Sequence, residues 1–192
     1  FKLRHICVFS IKKIMKSKKN LVFLGMMGSG KTSIGSIISK KLKKDFIDVD
    51  HEIEKELGMK ISTIFETLSE NYFREIEEKI TLRVLKKNNI IISLGGGAFI
   101  NFNIRKEVLE NHISFWLNWS PKTLISRINS SLKRPIAFKA SKNELFEIIK
   151  KRSKIYSKAL YKIECENRTK NQIKRSPIPK FKSRSKNNVP WE

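Results

Sequence analysis

Two short stretches of this chain carry side chains whose types and spacing suit phosphate chemistry. The first, Gly25-Met-Met-Gly-Ser-Gly-Lys31-Thr32, fits G-x-x-x-x-G-K-[ST], a loop that wraps nucleotide phosphates. Its glycines let the backbone curl until several N–H groups point at one anion. Lys31 supplies a full charge for the outer phosphates, and the Thr32 hydroxyl suits a Mg2+ ligand. Gly28, Ser29, Gly30 and Ser33 complete the candidate cradle. The second stretch, Asp48-Val-Asp50, ends a predicted strand, where residues i and i+2 point the same way. One carboxylate can hold Mg2+ through water while the other takes a hydrogen bond from a substrate hydroxyl. An isolated Asp-x-Asp is ordinarily a solvated acidic turn, but the phosphate loop upstream reverses that weighting.

Several arginines and a glycine run extend the set. Arg74 and Glu77 lie three apart on a predicted helix and share a face. Such a pair on the surface stabilises little. The functional alternative is a guanidinium that grips a substrate carboxylate bidentately, steadied by Glu77. Gly95-Gly96-Gly97 follows a predicted strand and fits a close approach of backbone to ligand as well as it fits a plain turn. Arg134-Pro135 sits in a polar segment suited to a lid, with Arg134 stabilising transferred charge. Arg127 is ambiguous between a surface and a site role. Arg152 shares a late helix with Ile148 and Ile149, so its head can reach a cleft.

These residues need elements to hold them. Leu21-Val-Phe-Leu24 reads as a buried parallel strand before the phosphate loop, and Ile34, Ile37, Ile38 and Leu42 read as a helix after it. The loop therefore meets a helix N-terminus, whose partial positive charge favours anions. Further strands are predicted at 46–49, 90–94 and 113–117, with an edge strand at 161–165. Helical spacing recurs through Ile53/Leu57, Ile61–Leu68, Phe73–Val84, Leu124–Ile128 and Leu145–Tyr156. Gly58 reads as a helix stop, and Ser120-Pro121 as an N-cap with the first helical residue. The alternation predicts an α/β fold of the P-loop NTPase type: a three-layer sandwich around a five-stranded parallel sheet with helices on both faces. Ligands then bind beyond the carboxyl ends of the strands.

The chain has 192 residues, 40% of them hydrophobic, enough for one such domain. No apolar run approaches the roughly 20 residues that span a bilayer. Cys7 and Cys165 match no metal spacing and read as free thiols in a reducing cytoplasm. The three histidines are scattered and match no catalytic or metal pattern. Net charge is +23, of which residues 1–20 contribute +7 and residues 166–192 contribute +6. The remainder is still basic and suits anionic substrates. The organisation expected is a basic extension over 1–20, with Met15 a candidate start, a catalytic domain over 21–170, and a basic disordered tail over 171–192.

Taken together, the phosphate loop, Asp48/Asp50, Phe73-Arg-Glu-Ile-Glu77, Gly95–Gly97, Arg134-Pro135 and Arg152 with Tyr156 resemble the shikimate kinase family, in order and from Leu21 to about Asn167. The resemblance implies transfer of the γ-phosphate of ATP to the 3-hydroxyl of shikimate, a step of aromatic amino-acid synthesis. It implies that Thr32 and Asp48 organise Mg2+, that Lys31 and Arg134 stabilise the moving phosphoryl group, and that Asp50 binds shikimate hydroxyls and assists deprotonation. Arg74 and Arg152 would bind the carboxylate, with Gly95–Gly97 against the ring. Arg127 would contact adenine, and Arg168 would fall in the family's adenine loop. A cytoplasmic monomer with no specific nucleic-acid or membrane partner is expected. The chain departs from the family where Pro177 and Pro179 interrupt the expected closing helix. The alternatives are another P-loop small-molecule kinase, gluconate-kinase-like, or an inactive P-loop domain with polyanion-binding tails.

Overall fold

The computed structural model describes residues 17–129 and 141–166 together with the strand Lys182–Ser183. Five strands run parallel: β1 (Leu21–Leu24), β2 (Phe46–Asp48), β3 (Ile91–Ser93), β4 (Ile113–Asn118) and β5 (Tyr161–Glu164). The sheet order is β2-β3-β1-β4-β5, continued by β6 (Lys182–Ser183), which is antiparallel to β5. The expected five-stranded parallel sheet is therefore present. β5 is not the edge that its amphipathic sequence implied, because Tyr161 and Lys162 pair with Ser183 and Lys182. Those two residues lie in the segment read from sequence as a tail.

β1 is the central strand, and all four of its residues are buried. Successive strand side chains point to opposite faces, so burial of every one means that helices cover both sides. The stack Phe23–Phe115–Tyr161 runs across β1, β4 and β5 with ring centroids 5.3 Å apart at each step. Asn20 sets the entry to the sheet: its Nδ2 donates to the Leu85 carbonyl at 3.1 Å, and its Oδ1 accepts from the Ile90 amide at 3.1 Å.

The helices are α1 (Lys31–Leu42), α2 (Val49–Leu57), α3 (Ile61–Thr67), α4 (Glu70–Leu85), α5 (Phe102–Asn111), α6 (Pro121–Asn129) and α7 (Lys142–Tyr156). Local chemistry explains many of their ends. Ser69 caps α4 by accepting from the Tyr72 amide, and Ser141 with Glu144 forms a capping box on α7. Gly58 ends α2 at φ 66°, as its position suggested. Ser120 Oγ accepts from the Thr123 amide at 3.2 Å, the capping contact expected before Pro121.

Two readings need correction. Helix α5 has no counterpart in the sequence reading, because only Ile104 and Val108 mark its buried face while Phe102 and Leu109 are exposed; the available signal was Asn101, which accepts from the amides of Asn103 and Ile104. The second strand stops at Asp48 rather than Val49. Asp48 is the N-cap of α2 and its carboxylate accepts from the Asp50 amide at 3.1 Å, so Asp50 sits in a first helical turn, not in a strand. Strand alternation therefore does not relate the two acids; the helix cap does.

Candidate active site

The phosphate loop leaves the carboxyl end of β1 and ends where α1 begins. Gly25, Gly28 and Gly30 adopt φ of 141°, 79° and 89°, conformations that side chains resist. A Cβ on Gly25 would also lie 3.0 Å from the Leu117 carbonyl oxygen. Lys31 folds over the loop, its Nζ 3.0 Å from the Gly25 carbonyl and 3.1 Å from that of Met26. Ser29 is buried, and among the described residues its Oγ has no hydrogen-bond partner. Buried hydroxyls are rarely left so, and an anion seated in the loop would supply the missing acceptor.

The acids stand beside this loop. Thr32 Oγ1 donates to Asp48 Oδ2 at 2.6 Å. Burial pushes the Asp50 carboxyl up to about 6, and the Asp48 charge adds to the rise while Lys31 opposes it. Asp50 is thereby a stronger base than an ordinary carboxylate yet still mostly ionised near neutral pH.

The arginines close the far side. Arg74 Nη1 donates to Glu77 Oε2 at 2.7 Å, while Nε and Nη2 donate to Glu70 Oε1 at 3.3 and 3.0 Å. The Arg74 side chain is 32% exposed and that of Glu77 only 4%. Burial works against the Arg74 charge, but Glu77 and Glu70 outweigh it and hold its pKa above the ordinary value. Burial pushes the Glu77 carboxyl up, offset in part by Arg74 and Arg152. Glu70 was missed in the sequence, although its i,i+4 spacing to Arg74 is a recognisable signal. Arg152 Nη1 donates to the Gly96 carbonyl at 3.4 Å.

Gly95–Gly97 is where these groups meet. A Cβ on Gly95 would lie 2.6 Å from Asp50 Oδ1 and 2.7 Å from Glu77 Oε1. One on Gly96 would lie 3.2 Å from the Met27 amide of the phosphate loop, and one on Gly97 would run into the Arg74 guanidinium. The run is a glycine floor packed closely under these groups. It brings Asp50, Arg74, Glu77, Arg152 and the phosphate loop around one space.

Arg127 stacks on Trp119 at 3.5 Å, and its Nη1 donates to the Gly28 carbonyl at 3.4 Å. Trp119 carried no argument in the sequence, yet its Nε1 donates to the Ser29 carbonyl at 2.9 Å, fastening the loop to the end of β4. Glu166, just beyond β5, accepts from the Ser120 amide at 2.8 Å and from Thr123 Oγ1 at 2.6 Å. Arg134 and Arg168 lie outside the described residues, as do Pro177 and Pro179. Among the described residues no cluster of three or more His, Cys, Asp or Glu stands ready for a metal, and no helix is long and apolar enough to cross a membrane. The Thr32 hydroxyl and the Asp48 carboxylate form a small set of hard oxygen donors. That fits Mg2+, which takes few protein ligands and completes its shell with water and phosphate.

Comparison with known proteins agrees with this geometry. The family model described as shikimate kinase matches residues 27–180. A shikimate kinase of Persephonella marina is 36% identical over 155 residues, covering 81% of this chain and 94% of that protein. One from Bacillus subtilis is 36% identical over 162 residues, covering 81% and 85%. Among solved structures, a shikimate kinase from Acinetobacter baumannii in complex with shikimate aligns with a TM-score of 0.75 at 28% identity, over 83% of this chain and 90% of that one. A deoxyadenosine kinase from M. mycoides aligns with a TM-score of 0.53 at 17% identity, over 80% and 95%, and shares the fold alone.

Proposed function

The chain belongs to the shikimate kinase family, and from that premise we propose how its own residues carry out the transfer of the γ-phosphate of ATP to shikimate. The observation that carries the reading is the convergence of Arg74, Arg152 and Asp50 on the Gly95–Gly97 floor, with the phosphate loop beside them. Arg74 and Arg152 bind the shikimate carboxylate, and the glycine floor lets the ring lie close. Glu77 steadies Arg74 from the buried side. Asp50 accepts a hydrogen bond from the 3-hydroxyl. As the new O–P bond forms and the bond to ADP breaks, the hydroxyl proton passes to Asp50. The loop amides and Lys31 hold the transferring phosphoryl group, with Arg134 added as a lid residue. Such chemistry is chiefly positioning and charge stabilisation. Thr32 and Asp48 are the residues that would hold Mg2+, which when bound neutralises phosphate charge. Arg127 and Arg168 are assigned to the nucleotide.

Residues 21–170 are taken as the catalytic domain, flanked by basic segments over 1–20 and 171–192. A monomer in the cytoplasm, with no specific nucleic-acid or membrane partner, is the reading we favour. A coupled assay of ATP consumption tests the activity, with shikimate set against gluconate and nucleoside monophosphates. Arg74→Ala should weaken shikimate binding at least tenfold, about the effect of one charge-assisted contact, while leaving ATP binding nearly unchanged. Equal losses for both ligands would count against the carboxylate clamp.

A further inference from the structure

Helix α7 ends on Tyr156, one turn beyond Arg152 on the same face. Tyr156 is 2% exposed, with its ring against Trp116 at 6.2 Å. Its hydroxyl donates to the Gly96 carbonyl and lies 3.9 Å from Met26 Sδ. Arg152 Nη1 reaches the same two acceptors, the Gly96 carbonyl at 3.4 Å and Met26 Sδ at 4.0 Å. The phosphate loop, the glycine floor and the helix that carries Arg152 therefore meet at one buried point. At 3.4 Å the arginine contact alone holds Gly96 weakly.

We propose that Tyr156 is a positioning residue: its buried hydroxyl holds the Gly96 carbonyl and the Arg152 head in register with Met26, so that the carboxylate subsite and the phosphate loop are set together. The inference rests on Arg152 binding the substrate carboxylate and adds what aims it. Burial pushes the Tyr156 hydroxyl up to about 12, so it remains a proton donor across the working range.

Tyr156→Phe keeps the ring and its packing and removes only the donor. In the full chain we expect the KM for shikimate to rise roughly fivefold to tenfold, the effect of one lost hydrogen bond. The kcat should stay within about twofold, and any dependence of shikimate affinity on bound ADP, read by calorimetry, should shrink. A shikimate KM within about twofold of the parent overturns the proposal. So does a loss of kcat and thermal stability with KM unmoved, the signature of a merely structural role. Arg152→Ala, run alongside, separates the two levels. If that change leaves shikimate affinity intact, the clamp itself is wrong; if it abolishes affinity while Tyr156→Phe does nothing, only the role of the tyrosine falls. Should Tyr156→Phe fail to fold, Met26→Leu removes the shared sulfur instead. A shikimate KM raised more than the KM for ATP then supports the proposal, and an unchanged shikimate KM rejects it.

Discussion

Asp50 concentrates the conflict between stability and chemistry that active sites require. Its carboxyl is pushed up to about 6 first by burial and then by the neighbouring Asp48 charge. An ordinary carboxylate in the unfolded chain titrates about two units lower. The folded state thus binds more protons between those values, and stability falls as pH rises through them. Asp50→Asn should therefore stabilise the fold by roughly 1–3 kcal/mol at pH 7, with no advantage at about pH 4, readable as thermal midpoints at both values. The same change should lower kcat by about a hundredfold or more, because a general base is lost. In the unchanged protein, kcat/KM should decline below about pH 6 as the carboxyl takes up its proton; a profile flat through that range would remove Asp50 from the role of base.

Among the elements, the turn after β3 matters most to the site. Its three glycines leave room for what lies over them: two carboxylates over Gly95, a loop amide over Gly96 and a guanidinium over Gly97. Gly95→Ala would drive a methyl group against Asp50 and Glu77 at 2.6 and 2.7 Å. The expected result is a fall in kcat/KM for shikimate of tenfold or more with a smaller change in the KM for ATP, since a displacement of even an ångström at a reacting centre is costly. Steady-state kinetics on the purified variant measure it. At the start of α2, one carboxylate both ends a strand and begins a helix. Asp48 caps α2 through Oδ1 and receives Thr32 on Oδ2, which ties the start of α1 to the end of β2.

Across the whole molecule, the sheet order β2-β3-β1-β4-β5 puts the ends of β1, β2 and β3 side by side. The phosphate loop, the acid pair and the glycine floor follow those three strands in turn. The chain carries a net charge of +23, and charge of that sign draws in anionic substrates and is screened by salt. At subsaturating ATP and shikimate, kcat/KM should fall as ionic strength rises while kcat at saturation changes much less. Salt titration of initial rates checks this, and an equal decline in both quantities would point to loss of structure in place of weaker encounter.

What the sequence supplied by itself was a set of candidates for phosphate chemistry: the phosphate loop, the acids, the two arginines and the glycine run are local patterns whose residue types limit what they can bind, each with a plain structural reading beside it. The parallel sheet was legible for a similar reason, since buried strands read as short apolar runs and helices as 3.6-residue periods. Only the tertiary structure decided how distant groups share partners. Trp119 on the Ser29 carbonyl, Glu166 on Ser120 and Thr123, and Tyr156 with Arg152 on Gly96 and Met26 each join residues far apart in the chain. Their spacing in sequence carries no period, because it is the folding of the sheet that closes those distances. The pairing of β5 with Lys182–Ser183 was hidden likewise, two residues being too few to leave a pattern until a partner strand stands beside them.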